Sequence, residues 1–164
     1  MRLPPPRVLV IALGNPDRGD DGVGLVVAQC LRELLPSDVQ IISASGDALS
    51  LIPTWADFDA IICIDAAAPA NAPGRIHRFD LTAAGLPSKL AVASSHALGL
   101  AEAIALARAL QEAPRQIIVY AVEGACFAAG APITADVTAA AVDVARRVAA
   151  DVDWLRQEQA TVNV

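Results

Sequence analysis

Apolar residues in this chain fall into short blocks separated by polar or Gly/Pro breaks, and the blocks carry two different periods. Arg7–Leu13, Val39–Ser43, Ala60–Asp65 and Gln116–Val122 are runs of strand length with almost no polar interruption, which predicts strands buried on both faces. Gly22–Leu35 has helical spacing and stops at Pro36. Ala97–Leu110 reads as an Ala/Leu helix with Glu102 and Arg108 on its polar face. Thr134 is placed as the N-cap of a long last helix running to about Gln157. Ala48–Trp55 predicts a short helix limited by Pro53. Arg75–Leu81 alternates charged and apolar positions, as an edge strand does. Pro69, Pro73 and Gly74 mark a loop, the stretch from Thr82 to Ser95 reads as irregular, and Gly124–Pro132 reads as a Gly/Ala loop.

Strands alternating with helices predict an α/β fold around a mainly parallel sheet. We expect one domain over residues 1–164, with a core of about 7–158 and a frayed tail at 159–164. In such sheets ligands bind beyond the carboxyl ends of the strands, at a switch point in strand order. Composition sharpens this only a little. Apolar residues make up 55% of the chain, yet no run approaches the ~18 residues of a membrane span. The first apolar run reads as a buried strand rather than a signal peptide. The net charge of −6 comes without a basic stripe, which argues against nucleic-acid binding. Cys30, Cys63 and Cys126 are widely spaced and lack a CxxC pair, against a disulfide framework or a structural zinc site. All three are expected as buried small hydrophobes in a reducing cytoplasm.

The chemistry concentrates in IALGNPDRGDDGVG, Ile11–Gly24. An apolar strand runs into Gly14-Asn15, two residue types that tolerate positive φ. Asp20 and Asp21 then reach a helix N-terminus, where the dipole favours carboxylates. They serve there either as caps or as ligands, with Asp20 better placed as the cap and Asp21 as the ligand. Asp65 ends an apolar strand, either capping the next turn or binding a cation, since a buried carboxylate is costly unless satisfied. His96, in SSHALGLAEA, lies at a helix start, either as an ordinary structural residue or with its imidazole at the same sheet edge. Glu123 either lines that edge as a fourth polar group, pairs with Arg115 or caps a turn. His77, on the edge strand, is expected to be solvated.

Asp21, Asp65 and His96 together offer two oxygen donors and one nitrogen donor, a set suited to zinc, nickel or a similar borderline ion with open coordination positions. The rival motifs are missing. The glycines Gly14, Gly19, Gly22 and Gly24 have the wrong spacing for a dinucleotide fingerprint, and two carboxylates would repel a pyrophosphate. There is no HExxH and no G-x-S-x-G elbow.

At these residues the chain resembles the hydrogenase maturation proteases, the endopeptidases that trim the large subunit of nickel–iron hydrogenases. The resemblance runs from about Arg7 to Leu155 and rests on GNPDRGDDGVG, the CIDA end of the third strand, PGRIHRFD, SSHALGLAEA and VEGACFAAGAPIT, in that order. It implies a three-layer α/β/α sandwich around a twisted, mostly parallel five-stranded sheet. It also implies removal of a C-terminal extension from the large-subunit precursor after nickel insertion. The acid–acid–His trio that recognises the nickel falls on Asp21, Asp65 and His96, which are then both the metal-binding and the catalytic residues. On this reading the nickel arrives with the substrate and the chain holds no tight cofactor of its own, although zinc or cadmium can occupy the site adventitiously. Neither nucleic acid nor membrane is expected as a partner. Two departures stand out: many members carry Glu where this chain has Asp21, and ASGDALSL replaces a Gly-Thr pattern common after the second strand. A nickel-delivery module is the alternative function, and a small-molecule hydrolase with its own metal is a third.

Overall fold

A computed structural model describes residues 4–82 and 95–162, the side chains of 95–98 and 159–162 excepted. Five strands form one sheet: β1 (Val8–Leu13), β2 (Gln40–Ala44), β3 (Ala60–Ala67), β4 (Ile76–Asp80) and β5 (Gln116–Glu123), in the order β2-β1-β3-β5-β4. Four strands are parallel and only β4, at one edge, runs antiparallel against β5. The helices are α1 (Val23–Leu34), the single turn α2 (Ile52–Trp55), α3 (Ser95–Ala109) and α4 (Ala135–Val162). This is the expected α/β architecture with a mostly parallel five-stranded sheet.

The three central strands explain the layering. Every residue of β1 and β3 is buried, which requires an apolar cover on both sheet faces. Side chains alternate between faces. Val10, Ile62, Ile64, Ile118 and Tyr120 point to one side, where Val27 and Leu31 of α1 and Val144, Val148 and Val152 of α4 close over them. Ile11, Ile61, Cys63, Ile117 and Val119 point to the other, under Leu100, Ala103, Ile104 and Ala107 of α3 and Trp55 of α2.

Several boundaries move. β3 does not stop at Asp65 but continues to Ala67, because Asp65, Ala66 and Ala67 pair in register with Ala121, Val122 and Glu123. The carboxylate therefore lies within a buried strand rather than beyond it. The predicted helix at Ala48–Trp55 splits into a 3-10 turn, Ala48–Leu51, and α2, with the Asp47 carboxylate accepting from the Leu49 N–H at 2.9 Å. The last helix runs on to Val162. The irregular segment read between Thr82 and Ser95 lies largely outside the described residues. Cys63 is fully buried, but Cys30 and Cys126 are only half-buried, a correction to the reading of all three as core residues. Among the described residues no helix is long and apolar enough to cross a membrane.

A polar clamp fastens the edge strand to α4. Arg78 on β4 donates from Nε and Nη2 to the two oxygens of Asp151 on α4, each at 2.9 Å. The Tyr120 hydroxyl on β5 donates to Asp151 Oδ2 at 2.6 Å. Burial pushes the Tyr120 phenol up, and its bond to Asp151 pushes it further in the same direction. The prediction is that Tyr120→Phe, which keeps the ring and removes this one bond, lowers stability by about 1 kcal/mol. Denaturant titration with an unchanged slope is the check.

Candidate functional site

Among the parallel strands the order reverses once. From β1 the chain crosses to β2 on one side, whereas β3 lies on the other side of β1. Connections leaving in opposite directions open a crevice outside the carboxyl ends of β1 and β3. The described candidates fall around it.

The exit from β1 is folded tightly back on itself. Gly14 has φ +123°, and a Cβ there would lie 2.0 Å from the Asp21 carbonyl oxygen, so only glycine fits. The Asn15 N–H donates to Asp21 Oδ2 at 2.9 Å. Asp21 lies in a 3-10 turn, Gly19–Gly22, that packs against β3 and leads directly into α1. Gly24, at the start of α1, sits over both strands: a Cβ there would come within 2.6 Å of the Leu13 carbonyl oxygen and 3.1 Å of that of Ile64. Ile64 precedes Asp65, so the close approach at Gly24 draws the turn carrying Asp21 onto the strand carrying Asp65.

Asp65 is buried, 3% exposed, and its Oδ1 accepts the N–H of Ala66 at 2.8 Å. By alternation it shares the α3-covered face with Cys63 and Ala67. Burial, aided by the Asp65 charge, pushes the Cys63 thiol up to about 12, so this cysteine is a neutral thiol at ordinary pH. His96 falls in the first turn of α3. Gly99, one turn further on, packs near Ala48 in the turn that follows β2, which sets the start of α3 at the carboxyl edge of the sheet. The His96 imidazole itself lies outside the described residues. Among the described residues no three His, Cys, Asp or Glu side chains form a metal-ligand group; Asp21 and Asp65 are the two described members of the expected trio.

The other candidates resolve into structural work. Asp20 is completely buried, and its partners are remote in sequence. Oδ2 accepts the N–H groups of Ala125 and Cys126 at 2.7 and 3.0 Å, and Oδ1 accepts the N–H of Thr134 at 2.7 Å. The Thr134 hydroxyl lies 2.9 and 3.0 Å from the two oxygens. Asp20 thus does not cap its own helix, as its position suggested; it ties the loop after β5 and the start of α4 to the exit of β1. Burial pushes its pKa up, but the N–H groups of Thr134, Ala125 and Cys126 and the Thr134 hydroxyl outweigh that and hold the carboxyl below its ordinary range.

Glu123, 2% exposed, takes the N–H groups of Ala70 and Ala72 on Oε1 at 2.8 and 2.6 Å. It shapes the loop between β3 and β4 and so follows the turn-capping reading, not the pairing with Arg115. His77 is less free than expected: its side chain is 40% exposed, its Nε2 lies 4.0 Å from Glu123 Oε2, and its ring stacks on Phe79. Sequence reasoning missed the Asp20 clamp because its donors are backbone N–H groups more than a hundred positions away. The residue type gives no hint of them.

The comparisons with known proteins agree with one another. A family model described as hydrogenase maturation protease matches residues 25–151, a span that includes Asp65 and His96 and begins just after Asp21. The chain is 31% identical over 121 residues to the hydrogenase 2 maturation protease of Escherichia coli (strain K12), covering 71% of this chain and 72% of that one. Its fold is similar to that of the hydrogenase maturating endopeptidase HybD from E. coli, with a TM-score of 0.75 and 24% identity over 90% of this chain and 92% of the other. It is also similar to a [NiFe] hydrogenase maturation protease from Thermococcus kodakarensis, with a TM-score of 0.68 and 25% identity over 87% of this chain and 99% of that chain.

Two outcomes separate Asp20 from Asp21. Asp20→Ala strands several buried N–H groups and is expected to cost about 3 kcal/mol or more, whereas Asp21→Asn keeps the acceptor for Asn15 and leaves the melting temperature nearly unchanged. Calorimetry on both variants checks the contrast. The folded-state depression of Asp20 and Glu123 sets the acid limb. The stability these groups contribute is complete above their unfolded values of 3.8 and 4.5 and is lost as pH falls through their lower folded values. Removing Asp20 should flatten that loss below about pH 4.

Proposed function

The chain belongs to the hydrogenase maturation protease family, and from that premise we propose that it removes a C-terminal extension from a nickel–iron hydrogenase large-subunit precursor after nickel has been inserted. Asp21, Asp65 and His96 engage the nickel that the precursor already carries. What supports this reading is the placement of two carboxylates, Asp21 and Asp65, on adjacent elements at the switch point, with α3 starting at the same edge. The donor types fit: two carboxylate oxygens and an imidazole nitrogen suit nickel, and three protein donors leave positions for the groups the precursor supplies.

In this account the residues of the chain recognise and orient. Asp65 is fixed by its bond from the Ala66 N–H, and Asp21 by its bond from Asn15, so both carboxylates meet the precursor without reorganising. The bound metal supplies Lewis acidity toward the scissile carbonyl or a water. Cleavage then depends on metal loading, and the enzyme acts as a checkpoint on assembly. The metal is part of the substrate, and a soluble cytoplasmic setting fits that role.

The test is to incubate the purified protein with nickel-loaded and nickel-free precursor and to measure product masses. Loss of a C-terminal peptide from the loaded form alone is expected, with His96→Ala folded but unable to process. Metal transfer to the precursor without cleavage would instead favour nickel delivery, and a folded His96→Ala enzyme that processes at the normal rate would remove the trio from the account.

A further inference from the structure

The edge strand carries a second histidine into the neighbourhood of the site. Asp65 on β3 and His77 on β4 stand opposite the same residue, Ala121 on β5. Residues directly opposite one another share a sheet face, so Asp65, Ala121 and His77 form one row. Cys63, Val119 and Ala121 place that row on the face covered by α3, the helix whose first turn contains His96. The β5 residue opposite both is Ala121, whose side chain is a methyl group. Two strand spacings separate their backbones by ~10 Å.

The ring is held rather than loose. Glu123, also on this face of β5, is itself pinned by the Ala70 and Ala72 N–H groups and presents Oε2 to His77 Nε2 at 4.0 Å. Phe79, two residues along β4, stacks on the imidazole with centroids 6.2 Å apart and an interplanar angle of 16°. Both groups lie against the ring, yet 40% of the side chain remains exposed. Glu123 stays ionised, since the N–H groups of Ala72 and Ala70 outweigh the cost of its burial. A buried carboxylate beside an imidazole favours the tautomer or protonation state that points an N–H toward it.

We propose that His77 is a substrate-binding residue of this site, its imidazole forming a hydrogen bond with a backbone amide of the precursor peptide a few residues from the group that reaches Asp65. The inference rests on the function proposed above. An extended peptide advances ~3.3 Å per residue, so a segment anchored beside Asp65 reaches His77 about three residues on. Because the bond is made to peptide already bound, and not to the reacting carbonyl, its loss falls on binding rather than on the chemical step.

The experiment measures processing of nickel-loaded precursor by wild type, His77→Ala and His77→Gln, with the melting temperature of each. Wild-type cleavage establishes the parent reading independently of the variants. His77→Ala is expected to raise KM about tenfold, the worth of one hydrogen bond, with kcat within twofold and the fold intact. His77→Gln, whose amide can still hydrogen-bond a peptide group, recovers part of that loss. A folded His77→Ala enzyme with wild-type KM, or one that loses kcat alone, overturns the assignment while leaving the protease reading standing. A wild-type protein that does not cleave a verified cognate precursor overturns both.

Discussion

The carboxylate of Asp20 is the contact on which the arrangement of the site depends. A fully buried acid is tolerated only when its oxygens are satisfied, and here the donors come from the loop after β5 and the first residues of α4. The same turn also donates to that loop through its backbone: the Asp20 N–H donates to the Cys126 carbonyl at 2.9 Å, and the Gly19 N–H to that of Ala131 at 3.1 Å. One charged group thereby joins the exit of the first strand to the exit of the last. The neighbouring Asp21 inherits its position from this clamp. Of two adjacent, chemically identical side chains, Asp20 is taken up by this clamp, while Asp21 accepts the Asn15 N–H at the exit of β1.

Glu123 repeats the principle on the other side of the sheet edge. Its side chain and main chain both bind the connection between β3 and β4: Oε1 takes two N–H groups, its carbonyl accepts the Gly74 N–H at 2.7 Å, and its own N–H donates to the Arg75 carbonyl at 2.9 Å. Buried acids that organise loops are thus the scaffold of the carboxyl edge, and the strand carrying Asp65 runs between the two elements that hold them. Rigid support of this kind lets a site recognise a metal already held by another protein without rearranging.

The sheet was legible in the sequence because its central strands are covered on both faces, which forces long apolar runs. AIICID was readable as a strand, but its end was misplaced: a charged residue looks like a terminus until the register with Ala121 is known. Asp21 and Asp65 were nameable as candidates because carboxylates after a strand and inside an apolar run are costly without a reason. The separate fate of Asp20 was not, since its partners are backbone amides distant in the chain. His77 was dismissed for a related reason. Its place in a row with Asp65 follows from antiparallel pairing of β4 with β5, a tertiary fact that residue type and local spacing do not encode. The half-buried Cys30 and Cys126 show the same limit, as apolar flanks in sequence do not decide depth in space.

The central claim is that this chain touches nickel carried by its substrate. X-ray absorption at the nickel edge of the loaded precursor, alone and rapidly frozen with a stoichiometric amount of the protein, tests it most directly. The account predicts new oxygen and nitrogen neighbours around nickel on mixing, absent when Asp21→Ala, Asp65→Ala or His96→Ala protein is used. A nickel environment unchanged on mixing with a wild-type protein that nonetheless cleaves the precursor would contradict it.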